Sequence, residues 1–177
     1  MAEISPLLSK YAQKKKIKFF IKDIPKPTKI LEVGCGNVWL GIYLKKNGWK
    51  NYIGLDLLPP ADIVGNIVNW KKLGIKRNSF DVIIAFEVIE HINCFQEFFD
   101  ILKPDGLLML TSPVPYMDWL CKLLEILGLN QKRTSPHDHL ICFKDIPLFK
   151  PIDVITVGFI SQWGKFRKPI IKTAQHR

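Results

Sequence analysis

The stretch "KILEVGCGNVWLG", Lys29 to Gly41, constrains this chain most. A short apolar run, Ile30, Leu31 and Val33, turns abruptly small at Gly34, Cys35 and Gly36. Apolar residues at helical spacing follow from Val38 to Lys46, and Asn47-Gly48 ends them. A strand, a glycine turn and a helix in that order form the first unit of an open α/β sheet. The glycines allow positive φ and a close approach without a Cβ in the way. The helix then points its first amides into the same space. Glu32 is the residue out of place, a carboxylate inside an apolar run and two residues before the turn.

The rest of the chain repeats the alternation. Residues 5–22 suit a helix with a basic outer face, and "IPKPTK" is a Pro-broken connector. "NYIGLD" reads as a second strand, "ADIVG" as a short third and "SFDVIIAFE" as a fourth. The fourth lacks alternation, as expected when both faces are covered. "CFQEFFDILKP" reads as a helix stopped by Pro104, and "GLLMLTSP" as another strand. "YMDWLCKLLEILGL" is a helix, and "PIDVITVGFI" a last strand. This order predicts a mostly parallel central sheet with helices on both faces. Ligands of such sheets lie beyond the carboxyl ends of the strands.

Length and composition fit that picture. A chain of 177 residues suits one domain. At 47% hydrophobic and 24% charged it is neither disordered nor membrane-spanning in composition. The four cysteines, Cys35, Cys94, Cys121 and Cys142, form no C-x-x-C pair and no zinc pattern. They read as reduced thiols of a cytoplasmic protein. Lysines crowd the N-terminus where a signal peptide would be apolar. The net charge of +10 concentrates in "KKKIK" (Lys14 to Lys18) and "KFRK" (Lys165 to Lys168), and no acid follows Asp153. Two readings stand: a patch for nucleic acid or an anionic lipid surface, or plain solvated lysine.

The glycine turn is not a dinucleotide fingerprint. In G-x-G-x-x-G the third position would be Trp39, which does not suit close helix–strand packing, and no G-K-[ST] follows for a P-loop. Twenty residues past Gly36, at the end of the second strand, stands Asp56. A carboxylate there is placed to accept from ribose 2′- and 3′-hydroxyls.

Together, "ILEVGCGNVWL", "YIGLD", "SFDVIIAFEVIEHI" and "LKPDGLLMLTSP" resemble class I S-adenosylmethionine-dependent methyltransferases, in particular the small-molecule type with an E-V-I-E-H segment. The resemblance spans about residues 28 to 115. It implies a single-domain Rossmann-like methyltransferase fold that binds S-adenosyl-L-methionine and methylates a small-molecule acceptor. It divides the chain into a basic helix and connector (1–27), a methyltransferase domain (28–160) and a basic tail (161–177). By the same resemblance Glu32 complements the ammonium of the methionine moiety, with capping of the loop amides as the alternative. Gly34, Cys35 and Gly36 line the methionine and ribose, Asp56 holds the ribose, and Leu57 touches the adenine. Asn66 accepts from the adenine amino group or else caps a turn. Phe86 and Glu87 face the cofactor across the cleft.

Three departures from the family pattern stand out. Val38 replaces the third glycine of G-x-G-x-G. Pro59-Pro60 leaves no room for a crossover helix before the third strand. Few residues remain for the closing antiparallel hairpin, so a shortened C-terminal end is expected. Methyl transfer needs a base only for a protonated acceptor. His91, in "EVIEH", and His139, in "HDHL", are the candidates, each with a purely structural alternative. His139 precedes the apolar run Leu140 to Phe143 and is expected to be drawn inward, His137 to be more exposed. No metal site is expected. The apolar helix "YMDWLCKLLEILGL" is read as packing that can also roof an acceptor pocket. Two other classes remain open: a methyltransferase associated with RNA or lipid, and a non-catalytic interaction module.

Overall fold

The computed structural model describes residues 7–117 and 139–170. Seven strands form one sheet: β1 (Ile30–Val33), β2 (Tyr52–Asp56), β3 (Ile63–Val64), β4 (Phe80–Phe86), β5 (Leu102–Pro113), β6 (Lys150–Val157) and β7 (Ser161–Arg167). Their spatial order is β3-β2-β1-β4-β5-β7-β6. The first five pair in parallel, and β7 runs antiparallel between β5 and β6. The order reverses direction between β1 and β4, which is where such sheets open a crevice.

Burial explains the apolar runs. All four residues of β1 are buried, and β4 is buried at six of its seven positions. Alternate side chains enter two cores. Leu31, Val33, Ile83, Ala85, Leu108 and Leu110 face helix α3 (Phe95–Ile101), whose Phe95, Phe98 and Ile101 meet them. Fully burying each such side chain is worth roughly 2 kcal/mol. Ile30, Val82, Ile84 and Met109 face the other side, against Leu40 and Leu44 of helix α2 (Trp39–Lys46). The N-terminal helix α1 (Leu7–Lys16) continues into a π-type turn, Ile17–Ile21. Phe20, Ile21 and Ile24 are buried in that second core, so the N-terminal segment packs with the sheet rather than apart from it. Glu32 alternates onto the same side.

The expected shortened end is corrected by the structure. Ser161–Arg167, assigned to the basic tail, is β7, and it closes a hairpin with β6. The turn between them places Gly158 and Phe159 at φ of 59° and 63°. Charge hid the strand: Trp163 and Phe166 are buried, while Lys165 lies with its ammonium 4.5 Å from the centre of the Phe19 ring. Helix α3 also ends sooner than expected, at Ile101. Leu102 is already extended and pairs with Phe80, so Pro104 lies within a strand instead of stopping a helix. No helix forms between β2 and β3, as Pro59-Pro60 suggested. The proposed roof helix, His137, Cys121 and His176 lie outside the described residues, apart from a short turn at Pro115–Met117. Among the described residues no helix is long and apolar enough to cross a membrane.

Candidate functional site

The carboxyl ends of β1, β2 and β4 bring together most of the residues singled out in sequence. The loop after β1 is sewn to β2: the Gly34 and Cys35 amides both donate to the Leu55 carbonyl, at 2.8 and 3.2 Å. Gly34 and Gly36 have φ of 74° and 49°, in the left-handed region open to glycine. Their surroundings differ. A Cβ on Gly34 would lie 2.4 Å from Val88 Cγ2, whereas one on Gly36 would meet nothing within 4 Å. Gly34 thus lets the β1 and β4 loops touch, and Gly36 borders open space.

Asp56 closes β2 and anchors this loop. Its Oδ2 accepts from the Gly36 amide at 2.8 Å, and Oδ1 accepts from Leu58 at 3.3 Å. A carboxylate has about four acceptor positions, so lone pairs remain for another donor. Leu57 is 63% exposed beside it, a large apolar surface at the mouth of the loop. Asn66 accepts from the Val68 amide at 3.0 Å and caps the short turn Ile67–Asn69.

Glu32 is only 2% exposed. The Tyr52 hydroxyl donates to its Oε2 at 2.5 Å. Burial pushes its carboxyl up to about 8, against the opposing pull of the Tyr52 bond and of Lys16. Around neutral pH this carboxyl therefore holds its proton more often than not. Cys35 is buried in the same wall, and burial raises its thiol to about 12, so it is inert as a nucleophile near neutrality.

At the end of β4, Phe86 is buried against Phe20, with ring centres 4.9 Å apart. Glu87 follows with φ of 58°. Its Oε1 accepts from Thr111 Oγ1 at 2.6 Å and lies 3.4 Å from Lys16 Nζ. A turn returns the chain over Val88 to His91, with the His91 amide bonded to the Val88 carbonyl at 3.0 Å. His91 thus sits in a turn, four residues before α3 starts at Phe95. Glu90 is 1% exposed. Burial, then the charge of Glu87, raise it to about 9, against the opposing pull of the nearby Ser112 hydroxyl.

His139 lies beside this turn, its amide donating to the Glu90 carbonyl at 2.9 Å. Its side chain is exposed, contrary to the expectation that the apolar run draws it inward. Phe143, at the far end of that run, is the residue that is buried, held there by its amide bond to Gln162. Sequence reasoning missed Tyr52, Thr111, Glu90 and Lys16. A signal existed for Tyr52: Gly41 sits inside α2, where a Cβ would lie 2.4 Å from the Tyr52 ring. Among the described residues no group of three or more His, Cys, Asp or Glu could hold a metal ion.

Comparison with known proteins bears on the family and the fold. A family model described as "Methyltransferase domain" matches residues 7–145. A search of curated proteins finds no match. Among solved structures, a protein of Pyrococcus horikoshii OT3 superposes with a TM-score of 0.64 at 18% identity, over 90% of this chain and 91% of that one. An S-adenosylmethionine dependent methyltransferase from Mesorhizobium loti gives 0.57 at 16% identity, over 81% and 93%. A further methyltransferase of that kind, from Methanosarcina mazei, gives 0.60 at 14%, over 83% and 95%. At such identities these likenesses speak for the fold. The fold is the class I methyltransferase architecture. With the family model covering most of its length, the chain belongs to the methyltransferase-domain family.

Proposed function

We propose that this chain binds S-adenosyl-L-methionine at the carboxyl ends of β1, β2 and β4 and transfers its methyl group to a small-molecule acceptor. The observation that carries this reading is the placement of three acids, Glu32, Asp56 and Glu87, at the ends of adjacent strands around a glycine loop that borders open space at Gly36. A ligand bearing a ribose and two cationic centres fits that distribution.

In this reading the spare lone pairs of Asp56 accept from the ribose hydroxyls while its existing bond to Gly36 keeps the loop in place. Leu57 covers the adenine, and Asn66 accepts from the adenine amino group through its remaining lone pair. Gly34, Cys35 and Gly36 line the methionine and ribose. Glu32, in its ionised form, pairs with the ammonium of the methionine moiety. Phe86 and Glu87 bound the opposite wall. The cofactor supplies an electrophilic methyl group, and the chain contributes alignment and exclusion of water. His91 and His139, on the acceptor side of Glu90, are the candidate bases for an acceptor that carries a proton.

Isothermal calorimetry with S-adenosylmethionine and its demethylated product tests this. Both are expected to bind, and Asp56→Ala is expected to weaken binding by roughly 1.5–3 kcal/mol while leaving the fold intact. Absence of binding by the folded wild-type chain, or unchanged affinity in Asp56→Ala, overturns the assignment.

A further inference from the structure

The solvent face of α1 is built from lysine. Of the described residues from Lys10 to Lys18, those exposed are Lys10, Tyr11, Lys14, Lys15 and Lys18. At about 3.6 residues per turn they share an arc of roughly 140°. No acid stands between Leu7 and Lys22 to pair with them along the helix. A solvated face commonly mixes both signs, whereas an all-lysine face repels itself and favours an anionic surface.

The fold sets this face beside the cleft. Lys16 reaches Glu87, just past β4, at 3.4 Å, while the Lys29 amide donates to Asp81, at the start of β4, at 2.8 Å. The segment between them therefore descends β4 from its carboxyl end to its amino end. The turns of α1 before Lys16 stand at the carboxyl-end rim of the sheet.

The same rim carries the most exposed large apolar side chains. Phe159, Tyr116 and Leu58 are 81%, 75% and 70% exposed, more than any other such residue described. Tyr116 follows β5, Leu58 follows β2, and Phe159 is at the tip of the β6–β7 hairpin. Because β5 and β6 are both antiparallel to β7, that tip points the same way as the ends of β2 and β5. The Val114 amide ties it to the end of β5, donating to the Ile160 carbonyl at 2.9 Å. Leu58 and Phe159 lie toward opposite edges of the sheet, with the cleft between them.

We propose that this rim is a docking surface for an anionic lipid bilayer: the lysines of α1 lie against its headgroups while Leu58, Tyr116 and Phe159 enter its interfacial region, which turns the mouth of the candidate cleft toward the membrane.

The chemistry favours a bilayer over a nucleic acid. Lysine is a compact point charge that suits a diffuse anionic surface, and α1 carries no arginine, the residue suited to bidentate phosphate recognition. A phosphodiester backbone offers no burial to an aliphatic side chain such as Leu58, whereas the boundary of headgroups and acyl chains does. Tyr11, among the lysines, has the amphipathic ring that settles at that boundary. The acids of this end lie off the lysine face: Asp56 holds the glycine loop, and Glu87 meets Thr111 and Lys16.

Co-sedimentation of the full chain with vesicles, without cofactor, tests the proposal. Vesicles of phosphatidylglycerol and phosphatidylcholine in equal parts are expected to bind it, those of phosphatidylcholine alone are not, and salt is expected to weaken the binding. Joint replacement Lys14→Gln, Lys15→Gln and Lys18→Gln is expected to lower affinity roughly a hundredfold, and Leu58→Ser with Phe159→Ser roughly tenfold. Matched controls lie off the rim. Lys46→Gln, Lys50→Gln and Lys76→Gln remove the same charge, and Ile42→Ser with Ile152→Ser remove comparable apolar surface. Both controls are expected to bind within about threefold of wild type. Every substituted position is exposed, so the fold is expected to survive. Should a joint variant not fold, Lys15→Gln and Phe159→Ser alone carry the comparison. Wild type that binds neither vesicle overturns the proposal, as does a rim variant that binds no more weakly than its control. Binding to labelled single-stranded RNA at the same salt without binding to the anionic vesicles also overturns it. The readout needs no cofactor, so failure of S-adenosylmethionine to bind in calorimetry overturns the cofactor reading alone.

Discussion

Tyr52 donates its hydroxyl to Glu32 across 2.5 Å, joining the first residue of β2 to the one carboxylate buried within β1. The bond satisfies one oxygen of Glu32 but does not make the site hospitable to charge. Burial still holds the carboxyl at about 8, against 4.5 for a free side chain. The folded state therefore binds more protons than the unfolded state between those two values, so stability falls as pH rises through that window. Glu90, raised to about 9, acts in the same direction.

The ligand-free protein is accordingly expected to be more stable at pH 6 than at pH 8.5. The part due to Glu32 over that interval is about 2–3 kcal/mol. Glu32→Gln keeps an acceptor for Tyr52 without a titrating group, and it should flatten the slope. Urea unfolding at several pH values measures this. A wild-type stability that is flat or rising from pH 6 to 8.5 contradicts the burial argument.

Val38 was read in sequence as a replaced glycine, and its backbone behaves as one. Its φ is 54°, in the left-handed region, and it precedes the first turn of α2. For a β-branched residue that conformation is strained by roughly 1–2 kcal/mol. Val38→Gly removes the strain but adds freedom to the unfolded chain, about 0.5–1 kcal/mol in the opposite sense. The net expectation is a stabilisation of up to about 1 kcal/mol, with cofactor affinity equal or better. Thermal unfolding and calorimetry decide it, and a lower melting temperature shows that the Val38 side chain contributes more packing than strain.

The sequence made the parallel half of the sheet legible because its strands are apolar on both faces and end at small or acidic residues. Asp56 and the two loop glycines stand out in the sequence for the same reason: their chemistry is local. What escaped was paired across distance. Tyr52 is twenty residues from Glu32, Thr111 is twenty-four from Glu87 and Lys16 is seventy-one from Glu87, and nothing in the local pattern joins them. Strand β7 escaped because Trp163 and Phe166 enter opposite cores and Lys165 and Arg167 share the face of Trp163, so charge broke up the apolar signal of a strand covered on both sides. The depth of His139 was misjudged because a backbone bond to Glu90 fixes that segment, while burial begins only at Phe143.

Lys168 provides a test of that concealed strand. It is 6% exposed, and its ammonium donates to Asn78 Oδ1 at 2.9 Å and to the Phe99 and Leu102 carbonyls at 2.6 Å each. It thereby caps the end of α3 from the end of β7. Lys168→Met keeps much of the stem but leaves two carbonyls without that donor, and it is expected to destabilise the fold by roughly 3 kcal/mol. Chemical denaturation measures the loss. A change below about 0.5 kcal/mol, the level of an ordinary surface substitution, contradicts a structural role for this lysine.

The two loop glycines separate stability from binding. Gly34→Ala places a Cβ 2.4 Å from Val88 Cγ2 at a φ of 74°, so both the strain and the collision fall on the folded protein itself. It is expected to destabilise by about 2 kcal/mol or more. Gly36→Ala has a similarly positive φ of 49° but no atom within 4 Å of the new Cβ. Its cost to stability is expected to be near 1 kcal/mol, the left-handed strain alone. The added methyl projects into the space assigned to the cofactor, so affinity for S-adenosylmethionine is expected to drop at least tenfold. The comparison needs urea unfolding and calorimetry on both variants. If Gly36→Ala binds the cofactor as the wild type does, the open side of Gly36 does not face the ligand, and the glycine turn serves only to let β1 and β4 meet.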